Sequence, residues 1–241
     1  MKKLILVTVG VFFLSQMNAQ KKWSFGAEAF PNITNGVVKN TGIQDPSLEN
    51  SIRESEVPKF CLSGQVYASY NFNAKSSLSF GIGYQNTGEK TNYKHTYFAN
   101  SIDPRTGFET PEPMTPGSTR AVRFYYNHHN IQLPVLFQYN LTSRLYLKSG
   151  LSTVINLTNT ITDERIFVEG NNAKNTQTDK SSDFRSIVFS GQFGIGYEYM
   201  QKSKFSLYVQ PTVEKFLMGI YQNPSINRVP LSLGIVFGVR I

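Results

Sequence analysis

The chain has 241 residues, with 24 Lys and Arg against 16 Asp and Glu and a formal net charge of +8, a length suited to one β domain. The basic residues are scattered among turns and loops instead of forming one stripe, which argues against nucleic acid as a partner. The lone Cys61 excludes an internal disulfide.

At the N-terminus, Lys2 and Lys3 precede the apolar run Leu4 to Leu14, and a small residue, Ala19, offers a cleavage point. This is the pattern of a secretory signal peptide over residues 1–19, with the working domain over residues 20–241. Removing Lys2 and Lys3 takes the net charge from +8 to +6. The run is too short to span a bilayer as a helix, and no other stretch reaches the ~18 apolar residues a spanning helix needs. A membrane protein without such a stretch must be a barrel.

From Trp23 the chain alternates. Trp23, Phe25, Ala27 and Ala29 set a first strand that is expected to end near Pro31, and residues 32–59 read as a long loop. A second strand follows with Leu62, Gly64, Val66, Ala68, Tyr70 and Phe72 on one face. The turn Asn73 to Ser76 leads to a third, with Leu78, Phe80, Ile82 and Tyr84. Residues 88–119 form a second long excursion whose flanks, Tyr93 to Phe98 and Val122 to Tyr126, are strand-like and predict a protruding hairpin. Tyr93, Tyr97, Phe98, Phe124 and Tyr126 are its candidate surface-contact residues, on a strand edge that another protein could extend.

The fourth strand carries Ile131, Leu133, Val135, Phe137 and Tyr139, and the fifth Leu145, Leu147, Leu151 and Ile155. Residues 158–184 read as loop. The sixth strand carries Ile187, Phe189, Phe193, Ile195, Tyr197 and Tyr199, and the seventh Phe205, Leu207, Val209 and Val213. After a loop over 215–227, Val229, Leu231, Leu233, Ile235, Phe237, Val239 and Ile241 place every odd residue of the last strand on one apolar face. That strand needs a partner for its backbone groups, and closure against the first strand supplies one. Pro134, Pro211 and Pro230 each remove a ladder donor and are expected at bulges or strand starts.

The expected fold is therefore all-β: a closed antiparallel eight-stranded transmembrane up-and-down β-barrel, with four long extracellular loops and three short periplasmic turns. Tyr70, Tyr139 and Tyr197, each just before a polar turn, suit an aromatic girdle at the periplasmic interface. The face opposite the apolar one carries Glu28, Gln65, Lys148, Glu198, Glu214 and Arg240 among glycines. An eight-stranded lumen is just wide enough to be filled by such side chains, which puts lipid on the apolar face and disfavours a general pore.

No G-x-S-x-G, H-E-x-x-H or P-loop pattern is present, and no cofactor or metal is expected. His128 and His129, in Tyr125-Tyr126-Asn127-His128-His129-Asn130, are candidates for the base of a lipid hydrolase, but nothing in the sequence fixes a Ser or acid partner. As strand neighbours the two point to opposite faces, which disfavours a shared metal.

Asn130-Ile131-Gln132-Leu133-Pro134-Val135-Leu136-Phe137-Gln138-Tyr139, with Leu145 to Gly150 and Gly194-Ile195-Gly196-Tyr197, resembles the PorT-like outer-membrane β-barrel domain family of Bacteroidota. The resemblance covers nearly all of the mature chain and brings no catalytic residues. It implies a cell-envelope barrel, with type IX secretion as the role of some relatives; the stretch Lys22 to Asn35 departs from that secretion component, so a generic member is implied. The expectation is a non-enzymatic, monomeric, integral outer-membrane protein. It contacts membrane lipid and, through its loops, other cell-envelope proteins as a scaffold, adhesin or partner of a surface or secretion assembly. A lipid-modifying hydrolase and a soluble secreted ligand-binding barrel are the alternatives.

Overall fold

The computed structural model describes residues 22–40, 56–93, 100–102, 109–111, 119–167, 172–179, 184–201, 205–222 and 226–241. The expected signal peptide over residues 1–19 lies outside these residues, as do Tyr97 and Phe98.

Eight strands make the barrel: β1 (Trp23–Asn40), β2 (Lys59–Asn71), β3 (Ser76–Tyr93), β4 (Thr119–Asn140), β5 (Leu145–Phe167), β6 (Ile187–Gln201), β7 (Ser206–Phe216) and β8 (Ile226–Arg240). Each pairs antiparallel with the next in sequence. β1 and β8 pair from Gly26↔Arg240 to Asn40↔Ile226, and Phe25 and Ile241 exchange backbone hydrogen bonds of 3.0 and 2.7 Å. The ring is closed. Closure leaves no edge along this seam, the arrangement an eight-stranded sheet needs when lipid cannot satisfy backbone groups.

The turns are held by their own side chains. The Asn73 carboxamide oxygen accepts from the amides of Lys75 (2.8 Å) and Ser76 (2.9 Å), and Thr142 Oγ1 accepts from those of Arg144 and Leu145. Such local bonds are why Asn and Thr serve in tight turns.

Alternation separates the two faces. Along β4, Leu136 and Gln138 are 1 % and 5 % exposed while Phe137 and Tyr139 are 43 % and 42 % exposed. The same outward set includes Leu62, Val66, Phe80, Ile82, Leu151, Phe189, Ile195, Leu233 and Phe237. An apolar belt this continuous cannot face water without association; it faces lipid. At the turn end Trp23, Tyr70 and Phe72 meet edge to face, at ring-centre distances of 5.1 and 5.5 Å, and Tyr139 and Tyr197 are exposed at the same end of the strands.

Several strands run further than their apolar pattern. β1 continues through Pro31 to Asn40 instead of ending there; Pro31 still pairs with Leu62, and only the β1–β8 ladder skips Phe30 and Pro31. β3 reaches Tyr93, β4 starts at Thr119, and β5 reaches Phe167, where a loop was expected, before pairing with a returning strand, Ala173–Asp179. From His129 to Thr119 this extension is roughly 30 Å of strand. A short pair, Asn100–Ile102 with Glu109–Pro111, lies between β3 and β4 in sequence.

The prolines are not at bulges. Registers on either side of Pro134, Pro211 and Pro230 are unchanged, and a Cβ on inward Gly81 would stand 3.0 Å from the Pro134 ring. At Pro134 the glycine beside the ring lets the strand pass straight. The register shifts fall instead at Thr119/Ala121, His129/Asn130 and Glu198/Met200.

Candidate functional site

The lumen collects the polar residues that alternation turns inward. At the turn end, Lys148 Nζ donates to Glu28 at 2.5 Å, Tyr208 donates to the same oxygen at 2.6 Å, and the Gln65 amide donates to the other. Both charged side chains are almost wholly buried. Lys148 also lies over the Tyr67 ring, 4.7 Å from its centre. Arg240 pairs with Glu198 and reaches Gln138. Charges from β1, β5, β6 and β8 thus cancel in pairs across the barrel, which is the condition for burying them.

Glu214, in mid-barrel, is different. Its Oε1 accepts from Ser190 (2.7 Å), Gln85 (2.8 Å) and Gln132 (2.8 Å). Neutral donors from β6, β3 and β4 hold it there. A space of about 20 Å³ lies between Glu214, Gln132, Gln192, Ser63 and Glu28, large enough for a water in a polar setting.

Three tyrosines fill the rest of the turn end. Tyr67 lies across from Gly26, Tyr146 from Gly196 and Tyr208 from Gly238, and in each case a Cβ on the glycine would strike the ring. Each ring covers a glycine on the adjacent strand, so both strand curvature and lumen filling depend on the absent side chain. Tyr67 and Tyr208 share a 2.9 Å hydrogen bond. Gly196→Val is expected to cost about 1–3 kcal/mol by overpacking against Tyr146. Urea unfolding in detergent micelles reads it; an unchanged midpoint would mean the ring swings away freely.

Above Glu214 an apolar cluster fills one side of the lumen, facing Thr87, His128 and Asn130. Val154, Val188, Phe216 and Val229 from the strands meet Phe184 and Ile220 from two loops. The loops are stitched together by a Phe184↔Tyr221 bridge and by Arg185, which donates to the carbonyls of Tyr221 (3.0 Å) and Gln222 (3.3 Å). This is a cap over the polar lumen. Beyond it Arg228 pairs with Glu56 (2.9 Å) and Glu89 (3.1 Å) and stacks on Tyr126 at 5.8 Å.

All six lumen residues read from the sequence, Glu28, Gln65, Lys148, Glu198, Glu214 and Arg240, are on the inner face, and Glu28 and Lys148 meet. The expected contact hairpin is placed differently. Phe124 and Tyr126 stand opposite the inward Thr91 and Glu89, so both face inward. Their strand pairs on both sides, with β3 and with β5, so this part of the hairpin has no open edge. The backbone of Tyr93 pairs with Val122.

His128 is buried, its Nδ1 2.8 Å from Asn159 Oδ1, while His129 faces outward against Tyr84, with Nδ1 2.5 Å from the hydroxyl. They point to opposite faces. Among the described residues no group of three or more His, Cys, Asp and Glu converges as a metal site requires.

The Tyr–Gly pairs and the cap escaped the sequence reading. The run Phe216-Leu217-Met218-Gly219-Ile220-Tyr221 was the available signal for the cap: an apolar stretch inside what looked like a surface loop.

A closed ring of eight antiparallel strands, apolar outside and charge-paired inside, defines an integral outer-membrane β-barrel protein. Residues 14–212 match the outer membrane protein beta-barrel domain, and the chain belongs to that family. By the rule for such barrels its short turns are periplasmic and its long loops extracellular. No curated protein sequence matches the chain.

Among solved structures it is similar to Neisserial surface protein A (14 % identity, 91 % of this chain and 96 % of that one, TM-score 0.37). It is also similar to Ail, the attachment invasion locus protein of Yersinia pestis (6 %, 90 % and 99 %, 0.39), and to the outer membrane protease OmpT from Escherichia coli (9 %, 91 % and 93 %, 0.39).

Proposed function

We propose that the protein is a non-enzymatic, monomeric barrel that works as a rigid post in the outer membrane, a scaffold or partner for other cell-envelope proteins through its extracellular side. The filled lumen is the observation that carries this reading. Salt-bridged charges, tyrosines packed edge to face and an apolar cap occupy the space a pore or an active-site cleft would need. Above the lipid belt β3, β4 and β5 continue as one sheet, and its outer face carries Lys90 over the Tyr125 ring (5.4 Å) and Glu164 between Arg123 (3.8 Å) and Lys174 (3.1 Å). A stiff polar sheet of this kind suits recognition of a protein surface. The finer likeness to PorT-like barrels of Bacteroidota, with a place in a surface or secretion assembly, belongs to the same proposal.

The test is a photo-crosslinking residue at Tyr125 in intact cells, followed by detergent extraction and mass spectrometry. A reproducible envelope protein linked there is the expected result, alongside no stepwise conductance in planar bilayers. Recovery of the barrel alone, or steady open channels, would sink the reading.

A further inference from the structure

The barrel wall has a break. The β2–β3 ladder runs from Asn71↔Ser77 to Gly64↔Tyr84. It resumes only above, where Glu56 and Val57 pair with Thr91 and Lys90. Between these points residues 58–63 and 85–89 are not paired to each other, although 59–63 remain paired to β1 and 85–89 to β4 on their other sides. Pro58, which has no amide hydrogen, stands where the ladder would continue. Gly88 carries the one positive φ among the described glycines, 150°, and a Cβ there would stand 2.9 Å from Lys59 Nζ and would strike the Tyr126 carbonyl. Lys59 uses this clearance to reach β4, donating to the Tyr126 carbonyl (2.8 Å) and to Asn127 Oδ1 (2.5 Å).

On the outer surface the break is a groove of about 610 Å³, within the roughly 300–1,000 Å³ span of small-molecule sites. Its walls are Phe60, Leu62 and Tyr84 with Cys61 and Ser63 between them along β2, and its floor is Ala29 and Gly64, which are register partners. At the other end lie Asn86 and Asn127, with the Lys59 ammonium on Asn127. Strand direction orients these ends. Ala29 and Gly64 lie toward the membrane interior, whereas Asn86 and Asn127 lie toward the extracellular side. The groove is therefore apolar below and polar above, in the sense of an outer-leaflet lipid, and it opens directly onto the lipid belt. Among the described residues Lys59 is in no ion pair; the neighbouring carboxylate, Glu89, is held by Arg228.

We propose that this groove binds one acyl chain of a surrounding outer-leaflet lipid, with the lipid's anionic headgroup against Lys59. The proposal rests on the outer-membrane location and not on the scaffold reading, and the crosslinking experiment above can fail without touching it.

The test uses the full barrel in dimyristoylphosphatidylcholine vesicles, with phosphatidylglycerol or phosphatidylcholine spin-labelled near the chain end as probe and electron paramagnetic resonance as readout. The wild type is expected to hold a motionally restricted component that favours phosphatidylglycerol by about fivefold, the effect of one lysine at an anionic surface. Ala29→Phe, which fills the floor from an exposed position, removes the site-specific part of that component, and Phe60→Ala weakens it. Lys59→Gln abolishes the headgroup preference and leaves chain restriction in place. Ser149→Phe, on the exposed outer face of β5, changes neither. A spectrum unaltered by both Ala29→Phe and Phe60→Ala would overturn the proposal. So would efficient disulfide dimers of Phe60→Cys in a Cys61→Ser background, which would place a second barrel in the groove.

Discussion

Lys148→Met is expected to destabilise the barrel by about 3–5 kcal/mol, the cost of leaving a buried charge without its partner. Glu28 would keep Tyr208 and Gln65 as donors but would lose its cation, in a position shielded from water by Tyr67 and Tyr208. Adding Glu28→Gln to the same chain should return much of the loss, because a neutral amide among those donors no longer needs a counter-charge. A double-mutant cycle of urea unfolding in detergent micelles measures both steps. A loss under about 1 kcal/mol, the range of solvent-exposed pairs, would show that water reaches the pair and that the lumen is not filled as described.

Phe193→Arg should cost about 2–4 kcal/mol when stability is measured in bilayers, the penalty for a cation facing lipid near the midplane of such a barrel. Phe193 lies within the belt between Ile187 and Tyr199, flanked by Val213 on β7 and Ser149 on β5. It is 46 % exposed, so the substitution leaves the lumen packing intact and the cost isolates contact with lipid. Guanidine titration of the barrel refolded into phosphatidylcholine vesicles reads the difference. An unchanged midpoint would mean that this face meets water, as in a soluble barrel.

What could be read from the sequence divides at the membrane surface. Within the lipid belt one face must be apolar and the other polar or small, so Leu78-Ser79-Phe80-Gly81-Ile82 announces a strand by period alone. Above it both faces meet water or protein, and Thr87-Gly88-Glu89-Lys90-Thr91-Asn92 alternates nothing. Pairing to β4 as far as Tyr93↔Val122 makes it a strand, and pairing is not written in one segment. Pro31 misled for a related reason: a missing amide costs one ladder bond, while the strand's other side and its flanks hold it in line.

The lumen charges were legible one by one, because Glu28 and Lys148 each break an otherwise small inward face. Their partnership was not, since it joins positions 120 residues apart through the closure of the ring. The tyrosines over Gly26, Gly196 and Gly238 needed register for the same reason. The gap at Gly88 needed an absence of register, which no local pattern reports.

Arg228 gives the barrel a hoop. Glu56 precedes β2, Glu89 belongs to β3, and Arg228 comes from β8, so one guanidinium gathers three parts of the rim at the upper end of the break. Below it the continuous ladders act as a second hoop. Between the two, the width of the wall is set by the reach of side chains such as Lys59 instead of by the fixed spacing of backbone hydrogen bonds. The barrel is thus braced like a cask with one loose stave, and any force applied to the rim is borne there first.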